Sequence, residues 1–256
     1  MAFFSTLSVL FLLFASTISE GKEKTIGIPG QREFDYFLLA HLWPGTLCQD
    51  SKHCCPSNAC CRSNARNDFT IHGLWTNYND GTWPACCSGP KFDLKKVKPL
   101  RKGLKQYWPT LGCDLMSNCH GGNGSFWAHE VEKHGTCAYS VFKDEYSYFL
   151  ATMNLYFKYN VTEILRKEGY VASNTEKYPL GGIVSALQNA MKATPQLVCR
   201  PNGAIEELRI CFYKDFKPRD CVIGADWKTT SNTCSEYVSL PVHVPMSDQS
   251  IDIEIL

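Results

Sequence analysis

Fourteen cysteines, none before position 48, constrain this 256-residue chain more than any other feature. They stand at 48, 54, 55, 60, 61, 86, 87, 113, 119, 137, 199, 211, 221 and 234. An even set of this size is far above cytosolic usage and reads as up to seven disulfides made in an oxidising compartment. Structural zinc is the competing use of cysteine, but it favours C-x₂₋₄-C pairs answered by a second pair or by histidines. Here the local signature is adjacent pairs, Cys54-Cys55, Cys60-Cys61 and Cys86-Cys87, whose side chains point apart and bridge to different places. Chains stapled in this way are secreted far more often than cytosolic.

The N-terminus agrees. Residues 1–20 carry no charge before Glu20, an apolar centre from Val9 to Phe14, then the small residues Ala15, Ser16, Thr17 and Ser19, the pattern of a secretory signal peptide. The apolar centre is too short for a span, which needs ~20 apolar residues, and no second run of that length follows, so no membrane partner is expected. Two sequons, Asn123-Gly-Ser and Asn160-Val-Thr, mark glycosylation candidates. No linker or repeat divides residues 21–244, which read as one domain and one monomer. Residues 245–256 form a distinct tail with Asp248, Asp252 and Glu254 and no basic residue, a candidate sorting propeptide. The expected location is secreted or vacuolar. With 26 basic against 25 acidic residues, net +1, no global field holds duplex nucleic acid; chemistry on nucleic acid would have to come from a local site.

The hydrophobic pattern predicts strands over 34–43 and 69–75, a stapled loop over 46–68, and a partly helical 91–108 interrupted by Pro99. Helices are predicted over 126–137, stopping at Gly135, over 144–159 and over 181–193, with a strand over 205–216. In 144–159 the residues Tyr146, Phe149, Leu150, Met153 and Phe157 recur at helical spacing and predict the core-facing stripe. Strands separated by helices without a βαβ repeat give an α+β class.

Three of the seven histidines fall in two dense clusters, His72-Gly73-Leu74-Trp75 and His129-Glu130-Val131-Glu132-Lys133-His134-Gly135-Thr136-Cys137. On a helix, His129 and Lys133 share a face, as do Glu130 and His134. A zinc-protease helix needs H-E-x-x-H; here the second position is Lys133, and His129 and His134 are about 140° apart on the wheel, so the sequence argues against a metal site. Two imidazoles, a carboxylate and an ammonium suit a different task. Imidazoles give and take protons at mild pH, and a fixed cation stabilises charge growing on phosphate oxygens. Attack of a ribose 2′-hydroxyl on its own 3′-phosphorus has these needs, requires no cofactor, and leaves DNA uncut. Aromatic residues nearby, Trp75, Trp83 and Phe126, are candidates for stacking unpaired bases.

These two segments resemble the paired active-site segments of the ribonuclease T2 family, and more narrowly its plant S-like members. The resemblance runs from FDYFLLAHLWPGTLC (34–48) to Cys234. It implies a disulfide-rich α+β domain with a central antiparallel sheet flanked by helices, cleaving single-stranded RNA through a 2′,3′-cyclic phosphate. It implies His134 as the base, His72 as the acid, His129 as a phosphate ligand, and Glu130 with Lys133 as stabilisers of the pentacoordinate state, with acid and base interchangeable at this level. Trp75, Asn77, Trp83 and Phe126 would line a base pocket.

The chain departs from the family pattern in places. Asn77 stands for a carboxylate, Trp83 for Tyr and Val131 for an aromatic residue, and His41 lies where a Gln contacting the second base is common. The last two changes predict looser packing behind the helix and altered contacts to that base. The resemblance implies bridges Cys48–Cys54, Cys55–Cys113, Cys87–Cys137, Cys199–Cys234 and Cys211–Cys221, leaving Cys60, Cys61, Cys86 and Cys119 for two bridges of undetermined pairing. The alternative to an enzyme is a catalytically inactive storage, recognition or defence protein on the same scaffold.

Overall fold

A computed structural model describes residues 32–63, 66–221 and 234–245; the leader and residues 246–256 of the tail lie outside them. In chain order the elements are β1 (Tyr36–Leu42), α1 (Pro44–Leu47), β2 (Thr70–Asn77), α2 (Arg101–Tyr107), β3 (Met116–Ser117), β4 (Asn123–Gly124), α3 (Phe126–Lys133), α4 (Glu145–Lys158), α5 (Val161–Lys167), β5 (Tyr178–Pro179), α6 (Leu180–Met191), β6 (Gln196–Cys199), β7 (Ile205–Phe212), β8 (Pro218–Arg219) and β9 (Tyr237–Val238).

Strand β1 is apolar on both faces, which suits a central position. It lies between β2 and β7 in an antiparallel sheet of order β2-β1-β7-β6, with β8 added to β7. Phe37 and Leu39 enter the main core with Ile71, Leu74, Leu208, Ile210 and Phe212. Tyr36, Leu38 and Ala40 face the other way, with Cys211 and Trp75. The pairing of β1 with β2 slips once: Ala40 faces Gly73, and His41 faces Ile71. His72 is the extra residue, the bulged position of the ladder. A bulge re-aims a side chain and leaves a backbone group unpaired; the His72 carbonyl is taken up by Trp108 Nε1 at 2.7 Å.

Helix α4 supplies the core on the sheet's apolar side. Its start is fixed by a reciprocal cap between Asp144 and Ser147. The stripe predicted at 146, 149, 150, 153 and 157 is rotated: the buried residues are Glu145, Tyr148, Phe149, Thr152, Met153, Leu155 and Tyr156, while Phe157 is 45% exposed. The hydroxyls explain the shift. Tyr148 and Tyr156 bury their rings while donating to the carbonyls of Leu74 and Phe69, at 3.0 and 2.8 Å. Helix α5 and strand β6, absent from the sequence reading, complete the α+β domain.

Seven disulfides close the structure: Cys48–Cys60, Cys54–Cys61, Cys55–Cys113, Cys86–Cys119, Cys87–Cys137, Cys199–Cys234 and Cys211–Cys221. No cysteine is left to hold zinc as a thiolate. The expected Cys48–Cys54 bridge is not formed. Cys48 and Cys60 are both buried and meet beneath the loop, whereas Cys61, one residue on along the turn Ala59–Cys61, takes Cys54. The consecutive residues Cys86 and Cys87 reach Cys119, ahead of α3, and Cys137, just beyond it, and the Cys86 amide also donates to the Lys133 carbonyl at 2.9 Å.

Asn123 is exposed in the β3–β4 hairpin; Asn160 is exposed at the start of α5, where its side chain accepts from the Glu163 amide. Among the described residues no helix is long and apolar enough to cross a membrane.

Candidate active site

The bulge on β2 and the buried face of α3 bring the two histidine clusters together. His72 Nδ1 lies 2.6 Å from Oε2 of Glu207 on β7. A carboxylate only accepts, so Nδ1 carries the hydrogen and Nε2 is left for other chemistry. That Nε2 is 3.9 Å from Oε1 of Glu130, which is almost wholly buried on α3. The second oxygen of Glu130 accepts from Trp75 Nε1 at 2.8 Å. Trp75 is the common wall: its ring centroid is 4.8 Å from that of His72 and 5.2 Å from that of His134. Phe126 stacks on His72 at 5.9 Å.

Gly73 has a steric reason to be glycine. A Cβ there would fall 2.1 Å from Glu130 Oε2 and 2.3 Å from Trp75 Nε1, inside the hydrogen bond that joins them. His129, in the middle of α3, donates from Nδ1 to the Ser117 carbonyl at 2.6 Å, which fixes its tautomer. His134 lies at the helix C-terminus, where the backbone leaves ideal geometry (φ −116°, ψ −45°), and its ring centroid comes to 6.4 Å from that of His129. The side chains at the end of the helix correct the wheel argument: ligand atoms of His129, Glu130 and His134 all lie within 4.8 Å of one another, so these three could together hold a metal ion.

The two imidazoles differ in charge preference. Burial alone would lower the pKa of His72, but the hydrogen bond and charge of Glu207, with Glu130 beyond, raise it above the ordinary value. Glu207 is buried too, yet its bonds to His72 and Arg209 bring it down to about 2. His134 has no such partner. Burial, then the positive charges of Lys133, His129 and His72, push it down to about 3, and its buried Nδ1 has no hydrogen-bond partner among the described residues. Glu130 is raised, chiefly by burial, against the pull of His72 and Trp75.

The expected base-pocket residues divide. Trp75 and Phe126 join the cluster. Asn77 is nearby, its amide donating to the Trp75 carbonyl at 3.2 Å. Trp83 is half exposed, and no ring contact among the described residues ties it to the site. His41 is fully buried, its Nδ1 against the Leu208 carbonyl at 3.2 Å and its ring against Tyr156, so it offers nothing to a base. Val131 loosens nothing: it is 2% exposed, and its Cγ2 lies 2.9 Å from where a Cβ on Gly135 would stand. Glu207 went unnoticed in the sequence; its only signal was a carboxylate at a buried position of a strand whose other charged residues, Glu206 and Arg209, are only half-buried.

The chain belongs to the ribonuclease T2 family, whose match spans residues 34–221. Ribonuclease 1 of Arabidopsis thaliana is 38% identical over 173 residues, covering 67% of this chain and 71% of that protein. Extracellular ribonuclease LE of Solanum lycopersicum is 34% identical over 185 residues, covering 70% and 76%. Among solved structures, the RNase-related protein from Calystegia sepium superposes with a TM-score of 0.77 at 44% identity, covering 84% of this chain and 100% of that one. Trichomaglin, described as a novel S-like ribonuclease, gives 0.75 at 45%, covering 82% and 98%.

Proposed function

We propose that this protein is an endoribonuclease that cleaves single-stranded RNA by metal-independent transesterification, forming a 2′,3′-cyclic phosphate and leaving DNA intact. The observation that carries the reading is two imidazoles packed on the one indole of Trp75 in unlike surroundings: His72 is bonded through Nδ1 to the Glu207 carboxylate, which raises its pKa, and His134 is buried beside cations, which lowers its pKa.

In this reading neutral His134 takes the 2′-hydroxyl proton as the 2′-oxygen attacks phosphorus. The bond to the 5′-oxygen breaks, and His72 Nε2–H supplies that oxygen with its proton. Lys133 and His129 Nε2 face the negative charge that accumulates on the non-bridging oxygens. Glu130, beside His72, balances the surplus of cations and keeps the site from repelling its own proton donor. Trp75 holds Glu130 in register, and Phe126 offers a stacking face for a base. This division of labour leaves His72 as acid and His134 as base. Names of relatives include an extracellular ribonuclease and an intracellular one, and the leader favours entry into the secretory route, outside the cell or in the vacuole.

The test is product analysis on dinucleoside phosphates with oxidised, EDTA-treated protein. Cyclic-phosphate termini are expected, with no cleavage where the 2′-hydroxyl is absent. No product, or product only after a metal is restored, overturns the reading.

A further inference from the structure

A groove of about 730 Å³ opens beside the site, between α2, the chain leading into β2, and the start of α3. Among the described residues its lining holds five cationic side chains, Arg62, Arg66, Arg101, Lys102 and Lys105, against one carboxylate, Asp68. That carboxylate is already committed, to Arg66 at 2.6 Å and to Arg166 at 3.0 Å. Arg62, Arg101, Lys102 and Lys105 have no carboxylate within ion-pair distance among the described residues.

A chain with net charge +1 has therefore gathered unneutralised positive charge along one channel. Within α2, Arg101 and Lys105 are i,i+4 on one face, a like-charge placement that destabilises a helix unless something else answers it. Arg62 is tied down, one guanidinium N–H donating to the Lys105 carbonyl at 2.7 Å, so its charge is held in place at the wall. The groove borders the histidine cluster: Phe126, whose ring stacks on His72, is also part of its lining. The overall charge excludes a general attraction for nucleic acid; this channel supplies a local one.

We propose that the groove is a second binding site, for the phosphodiester backbone of the substrate strand outside the two nucleotides that flank the scissile bond. It rests on the ribonuclease reading and extends it: the protein engages a strand, with the cations gripping phosphates without regard to base. Binding there is electrostatic, so it strengthens at low salt and is lost at high salt.

The experiment compares the parent with Arg101→Gln/Lys105→Gln, and with the triple variant that adds Arg62→Gln. Each is assayed on a dinucleoside phosphate and on an oligoribonucleotide of about 12 nucleotides, long enough to occupy an extended groove. Binding of an uncleavable 2′-O-methyl oligomer is followed by anisotropy across a salt series. Expected is dinucleoside turnover within twofold of the parent, oligomer kcat/KM and affinity down about tenfold at low salt, and a salt slope shallower by ~0.7 per cation removed. Equal effects on both substrates, or unchanged affinity and slope, overturn the proposal. If the parent cleaves neither substrate yet binds the oligomer through these cations, the groove stands and the ribonuclease reading falls. If the parent cleaves and the variants match it throughout, the reverse holds.

Discussion

His72 Nδ1 sits 2.6 Å from the buried carboxylate of Glu207, two strands away across β1, and this contact decides which proton the ring keeps. If His72 is the acid, the alkaline limb of activity reports its raised pKa, and Glu207 sets where that limb falls. Glu207→Gln keeps an acceptor for Nδ1–H and removes the charge. The alkaline limb of kcat/KM should move to lower pH by about one unit. A pH profile on a dinucleoside phosphate reads it directly; an unmoved limb would show that Glu207 only packs.

Removal of His134 takes away the base while leaving the sheet untouched. His134→Ala should lower kcat by about 10²–10⁴-fold, with thermal unfolding close to that of the parent. Parent-like turnover would sink the assignment.

Gly73 is the tightest point in the site. Gly73→Ala drives a methyl group into the bond between Glu130 and Trp75. The expected cost is about 1–3 kcal/mol in chemical denaturation, with kcat/KM down by about tenfold or more. Wild-type stability and activity would mean that the two side chains are free to part.

The buried His41 governs stability in acid. Burial lowers its pKa from 6.5 to about 4, so between these values the unfolded chain takes up a proton that the folded one refuses. Stability therefore falls as pH drops through that window, and His41 alone contributes about 3 kcal/mol to the fall. His134, lowered in the same sense, adds to it. In His41→Leu the stability curve between pH 6.5 and 4 should be flatter by about that amount, measured by urea unfolding at each pH. An identical slope in both proteins would remove His41 from the account.

Much of this was legible in the chain. Apolar β1, the β2 segment and the helix ending before Gly135 announce themselves by periodicity and by stop signals. The resemblance carried four of the seven bridges; its fifth, Cys48–Cys54, is not formed. Cysteine spacing does not say which of two neighbours faces inward, and only the burial of Cys60 sends Cys48 to it. The bulge at His72 is invisible because it exists between two strands, not in either one. Glu207 was hidden for the same reason: its partner lies 135 residues away in sequence. The closeness of His129 to His134 depends on the reach of two side chains at the C-terminal end of a helix, where His134 sits at φ −116°, which a wheel drawn at constant pitch does not show.

Cys86 and Cys87 fasten opposite margins of α3 with consecutive residues of a single loop. Eight residues of helix in isolation would be mostly melted in water. Moored fore and aft, this one has no private route to opening, so its amide hydrogens should exchange with solvent only when the whole domain breathes. Serine at Cys86, Cys119, Cys87 and Cys137 would cut both moorings and let the histidines drift out of alignment, while Cys199–Cys234 and Cys211–Cys221 still staple the sheet beneath them.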